Sequence, residues 1–263
     1  LPFIISPTEV QNNLNDLISL SPDTIIISIN SPGGTVSASK KLYDIIHKYK
    51  KNNKSEIIVH TNELLASGGY WVATSADKIY AHYGSIIGSI GVKGPDWFYY
   101  DEPVSISTGI FGNQIETKNG IKLFSNKAGK SKDIFNPFRK PNNEELDHLQ
   151  NMVNEIYEDF VRTVSKERKI ETHSIVNEIG ALIYTSNEAV ELQLIDDEMN
   201  IEDLINKIVN LKNYEDYKVI KKYNNKNNIL KEIFSSFLKK SHDNMKLECI
   251  TLRSSFATIL SYQ

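Results

Sequence analysis

Three strand-sized runs rich in β-branched residues, alternating with helical patterns, constrain this chain more than any other feature. "DTIIISIN" lies between Pro22 and "SPGG", "EIIVHT" covers Glu56 to Thr61, and "KIYAH" begins at Lys78. Short unbroken apolar runs of this kind fit strands buried on both faces. Between the first two runs, Leu42, Ile45, Ile46 and Tyr49 recur at helical spacing, while Lys40, Lys41, Lys48 and Lys50 supply a wet face. Between the second and third, "SGGYWVATSA" reads as a short apolar helix. This alternation predicts an α/β fold with a mainly parallel sheet flanked by helices. In such folds the strand-to-helix turns gather at the carboxyl edge of the sheet, where sites form. Two glycine-bearing turns, Ser31 to Gly34 and Ala66 to Gly69, are expected on that edge.

The rest of the chain is organised around helices. "SPTE" from Ser6 to Glu9 reads as a capping box with Pro7 at the first helical position, followed by Val10, Leu14, Leu17 and Ile18 at helical spacing. The stretch from Lys93 to Pro141 is irregular and too long for a simple connection. A long amphipathic helix is predicted over Asn143 to Arg168, with Leu146, Leu149, Val153, Ile156, Tyr157, Phe160 and Val164 as its buried stripe. Shorter helices are predicted over Ser186 to Leu192 and Ile201 to Leu211. Composition shifts to Lys, Asn and Tyr from Lys212, which divides the chain into a domain over 1–211 and an appendage of uncertain order over 212–263.

Composition narrows the function classes. With 263 residues, 40% of them hydrophobic, the chain can bury a sizeable core. A net charge of −3 gives no basic field for nucleic acid. The single cysteine, Cys249, excludes an internal disulfide and a multi-thiolate metal site. No run approaches the ~18 apolar residues of a spanning helix. The chain opens on Leu1 in an apolar segment, which is compatible with a processed or incomplete N-terminus and leaves an upstream signal sequence or membrane anchor open.

Ser67 is the residue with the sharpest chemical alternatives. As a helix N-cap its hydroxyl would accept a backbone N–H. As a nucleophile it would point outward, with the Gly68 N–H at the helix start able to receive an oxyanion. "SPGG" is a candidate source of a second N–H donor on the same sheet edge. A serine nucleophile needs a base. His47, His60, His82, His148, His173 and His242 all lack a special setting, His82 at a strand end being the best placed. The other choice is a lysine made neutral by desolvation. Lysines abound, and Lys132 in "AGKSKDIF" stands between a glycine turn and the apolar pair Ile134 and Phe135.

Six segments in order, "SINSPGG", "ELLASGGYWVATSADKIYA", "GSIIGSIGV", "AGKSKDIFNPFRKPNNEELDHLQ", "IYEDFVRTVSKER" and "IYTSNEAVELQLIDD", resemble the signal peptide peptidase A (SppA) family of serine peptidases over roughly Thr24 to Asp197. The resemblance implies a ClpP/crotonase-like fold built of repeated ββα and βαβ units. It implies Ser67 as nucleophile and Lys132, the lysine of a G-x-x-K motif, as general base, with Lys130 two residues away as the competing register. It implies that Ser89 orients the lysine and that the amides of Gly34 (or Gly33 beside it) and Gly68 form an oxyanion hole. It further implies no cofactor or metal, remnant signal peptides or other apolar unfolded peptides as substrates, a homo-oligomeric ring or dome, and a bacterial membrane-associated, extracytoplasmic setting reached through residues upstream of Leu1. The family's usual first strand is expected to be missing here. Gln193 stands where the family commonly has glycine, and Tyr83 and Gly84 where a proline is common.

Three alternatives compete with this expectation. A Clp-type Ser-His-Asp peptidase would need a histidine about 25 residues after the serine; position 92 is Val92, and no histidine lies between His82 and His148. A crotonase-type acyl-CoA enzyme would leave Ser67 without a role. A degenerate homologue acting as scaffold or assembly partner would keep the fold without turnover.

Overall fold

The computed structural model describes residues 7–99, 105–109, 112–116, 124, 126–214, 216–222 and 247–254. They form two compact units, a larger one drawn from 1–91 and 159–263 and a smaller one from 92–158.

The larger unit is an α/β structure. Helix α1 (Pro7–Ile18) leads into strand β1 (Thr24–Ile29), helix α2 (Val36–Asn52) and strand β2 (Glu56–Thr61). The chain then takes a short strand β3 (Leu64–Ala66), helix α3 (Gly68–Ala73), strand β4 (Lys78–Ala81) and strand β5 (Ile86–Gly88). β1 pairs parallel with β2, and β2 with β4, so the predicted parallel sheet is present. Every residue of β1 is buried, as an unbroken β-branched run requires when both faces are covered. Val10, Leu14 and Leu17 are the buried face of α1, whereas Ile18 turns outward and is 48% exposed. Ser6, the expected cap of that helix, lies outside the described residues.

In the smaller unit β6 (Ser105–Gly109) and β7 (Gly112–Glu116) form an antiparallel hairpin. Helix α4 (Asn143–Arg168) starts in this unit and, from Asp159 on, belongs to the larger one. Its predicted stripe is buried only at the far end: Phe160 and Val164 are buried, as is Val161 beside them, Leu149, Val153, Ile156 and Tyr157 are half-buried, and Leu146 is exposed. A unit of this size has too little apolar surface to enclose a full helical stripe.

After α4 a single turn, α5 (Thr172–Ser174), widens into a π-helical turn over Ile175–Ile179. Strand β8 (Ile183–Thr185) runs antiparallel to β5, which itself runs parallel to β3, giving a second sheet in the order β3-β5-β8. Each of these strands has three residues, too short to register as periodicity. Helix α6 (Ser186–Glu191), strand β9 (Asp197–Glu198) and helix α7 (Ile201–Leu211) follow. Strands β10 (Tyr217–Lys222) and β11 (Leu247–Ser254) complete the main sheet in the order β10-β11-β1-β2-β4-β9, β11 lying antiparallel to β1. Two stretches within 212–263 are therefore sheet partners of the larger unit.

Candidate active site

The site begins where the second sheet meets α3. Ser67 follows β3 and starts α3, yet its hydroxyl makes no capping hydrogen bond. Its backbone sits at φ 51° and ψ −126°, outside the helical and extended regions. Two backbone bonds hold it there: its N–H donates to Gly88 O at 2.8 Å, and its carbonyl accepts from Trp71 N at 3.0 Å. Ser67 thus holds the N-cap position of α3 without using its hydroxyl as a cap. Behind it, α3 is buried throughout, Tyr70 donating to Leu194 O at 2.8 Å and Trp71 stacking on Phe160 with ring centroids 4.5 Å apart.

Ser89 occupies the matching place one strand over. Parallel pairing of β3 with β5 aligns Leu64 with Ile86 and Ala66 with Gly88, so Ser67 and Ser89 leave neighbouring strand ends side by side. Ser89 is half-buried, also has positive φ (52°), and donates its N–H to Leu182 O at 2.7 Å. The two serines share a register, which places both hydroxyl-bearing residues at one end of the second sheet.

The "SPGG" turn closes over the same corner. A Cβ on Gly33 would fall 2.9 Å from Ser67 Cβ, 3.1 Å from Ser67 Oγ and 3.2 Å from Gly68 N. A Cβ on Gly68 would collide with Ser39 Oγ and fall 3.2 Å from Gly34 N. Both glycines are therefore required by close approach, and Gly33 also by its φ of +123°. The Gly33 N–H is taken by Ser31 Oγ at 3.0 Å. The Gly34 and Gly68 N–H groups have no acceptor among the described residues. Two free donors beside a serine hydroxyl that caps nothing can stabilise negative charge developing on a carbonyl oxygen.

Lys132 lies in the smaller unit, in the turn that follows Gly129 (φ 97°), with its N–H donating to Gly129 O at 3.3 Å. Its side chain is exposed and has no hydrogen-bond or ion-pair partner among the described residues. Its neighbours differ. Lys130 Nζ grips both carboxylate oxygens of Glu144, at 2.6 and 2.7 Å. Asp133, the acid that follows Lys132, pairs with Lys127 and accepts from Arg139 Nε at 3.0 Å. Arg139 also forks onto Glu145, at 2.8 and 2.9 Å. Glu145 is 5% exposed, and bonds from Arg139 first, then from the Ser131 hydroxyl, hold its carboxyl down at about 2. Trp97 covers the other side of Arg139, ring centroid 5.4 Å from Cζ.

The histidines occupy other settings. His60 is fully buried, its Nε2 2.9 Å from Met199 O, and burial pushes its pKa down. His82 is exposed just beyond β4, and His47 stacks on Tyr43. No histidine hydrogen-bonds Ser67 among the described residues, and no group of three or more His, Cys, Asp or Glu there is placed to hold a metal. Ser67, Ser89, Gly34 and Gly68 thus share the larger unit, while Lys132 belongs to the smaller. Sequence reasoning gave no role to Ser31 or Ser39, which pack under the two glycine turns; the one available signal was the serine inside "SPGG".

Comparison with known proteins is consistent across sequence and family. Residues 49–215 match the family model described as Peptidase family S49. A protein of Methanocaldococcus jannaschii provisionally named a protease is 35% identical over 196 residues, covering 74% of this chain and 58% of that protein. An Enterococcus faecium protein provisionally named signal peptide peptidase SppA is 31% identical over 216 residues, covering 80% of this chain and 58% of its own length. Protease 4 of Haemophilus influenzae is 28% identical over 193 residues, 73% of this chain and 29% of that protein. The chain thus spans little more than half the length of the first two. Among solved structures, a ClpP1 mutant from Listeria monocytogenes aligns with a TM-score of 0.47 and 18% identity, over 75% of this chain and 85% of that one.

Proposed function

The chain belongs to peptidase family S49, and from that premise we propose that it is a serine endopeptidase working through a Ser67–Lys132 dyad. In this reading Lys132 takes the Ser67 Oγ proton as Oγ bonds to a substrate carbonyl carbon. The Gly34 and Gly68 N–H groups receive the oxyanion. Collapse of the tetrahedral centre breaks the C–N bond, and the lysine ammonium returns the proton to the leaving amine. Water then releases the acyl group by the same steps. Ser89, in register with Ser67, orients the amine towards the nucleophile.

The observation that carries the reading is the Ser67 corner itself: a serine at a helix start with no side-chain cap, beside two N–H groups without acceptors among the described residues. Lys132 suits the base because it alone of Lys127, Lys130 and Lys132 has no carboxylate partner among the described residues. A carboxylate partner favours the charged form of a lysine, which opposes its use as a base.

The substrates in this reading are remnant signal peptides and other apolar unfolded peptides, and the working form is a homo-oligomer whose ring or dome completes the site. Its setting in this reading is the outer side of a bacterial membrane. Within the described residues no helix is long and apolar enough to cross a membrane.

The test is covalent labelling with a fluorophosphonate together with hydrolysis of an apolar fluorogenic peptide. Wild-type protein should label on Ser67 and turn over. Ser67→Ala should do neither, with a loss of about a thousandfold or more in kcat. A wild-type chain that assembles but neither labels nor hydrolyses would be a scaffold, and the peptidase reading would fall.

A further inference from the structure

We propose that Ser31 is the positioning residue of the oxyanion pocket, its hydroxyl setting the "SPGG" turn so that the Gly34 N–H converges with the Gly68 N–H. The inference rests on the reading of Ser67, Gly34 and Gly68 given above.

Ser31 is fully buried, which is costly for a hydroxyl unless it is bonded. Its Oγ makes two hydrogen bonds, both to Gly33. The Gly33 N–H donates to it at 3.0 Å, and it donates to the Gly33 carbonyl oxygen at 3.2 Å. Gly33 is the residue whose φ of +123° lets the turn bend, and Gly34 follows directly. The same serine is tied to the nucleophile's strand. Its N–H donates to Leu64 O at 2.6 Å, and its carbonyl accepts from Ala66 N at 3.0 Å. Its side chain also presses on α3, since a Cβ on Gly69 would fall 2.8 Å from Ser31 Cβ and 2.9 Å from Ser31 Oγ.

One side chain therefore touches both supports of the pocket: the glycine before Gly34 and the glycine after Gly68. Donors on two separate loops stabilise an oxyanion only while their spacing is held. A Gly-Gly turn without a tether has many accessible backbone states. The Ser31 hydroxyl removes that freedom without touching the substrate.

Ser31→Thr and Ser31→Val form the test pair, because the two side chains have nearly the same shape and differ in the hydroxyl. Both are assayed on the apolar fluorogenic peptide, beside Ser31→Ala and Ser67→Ala, with a thermal melt of each protein. Ser31→Val should have a kcat about tenfold to a hundredfold below that of Ser31→Thr, at similar KM and similar melting temperature. Affinity for a peptide boronate, which mimics the tetrahedral centre, should fall in the same proportion. Equal kcat values for the pair would overturn the inference, as would a drop in melting temperature that accounts for the whole loss. If neither of the pair folds, Ser31→Ala against wild type gives the same comparison, with unchanged kcat overturning the inference. Turnover by Ser67→Ala would instead sink the underlying peptidase reading, so the two failures are told apart.

Discussion

At the scale of single residues, the decisive contrast is between two lysines that sequence alone could not separate. Lys130 is clamped by both oxygens of Glu144, while Lys132 has no acid partner among the described residues. Lys132→Ala should therefore abolish turnover, with a loss of about a thousandfold, and Lys130→Ala should keep it within about threefold. Near-normal activity of Lys132→Ala would move the base elsewhere. A lysine base must be neutral to act, so kcat/KM should climb from neutral into mildly alkaline pH. A profile governed by one ionisation near pH 6.5 would point to histidine. The nucleophile was legible as a candidate only: nothing in "ASGG" says whether a serine caps or attacks. The nucleophile reading draws on the backbone: Ser67 starts α3 at φ 51° with its N–H on Gly88 O and makes no side-chain cap. Ser89 had no signal of its own in the residues; its partnership with Ser67 is a matter of strand register, which a linear reading does not carry.

At the scale of elements, the longer helices and strands and also short ones such as β4, α3 and α6 were legible, and the three-residue strands were not. β2 falls where its unbroken β-branched run puts it, and α4 where its helical period does. The second sheet, which positions both serines, is made of three-residue strands held by their neighbours, so its signal is tertiary. One departure from the family pattern gains a physical meaning: Gln193 has φ 60°, the left-handed region where glycine rests without strain. Gln193→Gly should raise stability by about 0.5–1 kcal/mol, read from urea melts, the relief of strain exceeding the added freedom of the unfolded chain. The loop that carries Lys132 is anchored by Arg139 on Asp133 and Glu145. With the Glu145 carboxyl held at about 2 in the fold and about 4.3 when unfolded, its contribution is complete above the unfolded value. It is lost as pH falls through about 4 towards 2. Wild-type melting temperature should thus drop more steeply over that range than that of Glu145→Gln, and parallel slopes would show that the anchor contributes nothing.

At the scale of the whole molecule, the proposed nucleophile and base lie on different compact units. The exposed Lys132 has no apolar cover of its own among the described residues, which the dyad chemistry requires. Fractions from size exclusion should accordingly show peptide hydrolysis only where chains are associated, and an active monomer peak would contradict the oligomeric reading. If the dyad pairs the serine of one chain with the lysine of the next, the oligomeric reading also has a genetic consequence. Two alleles that are each dead, one carrying Ser67→Ala and the other Lys132→Ala, should restore turnover when co-expressed and co-assembled, because a mixed assembly contains some junctions where an intact serine meets an intact lysine. Purified separately, each would remain silent. The lesion in either allele would then be recessive to its counterpart, and a cell carrying both would score as peptidase-positive without holding a single wild-type chain.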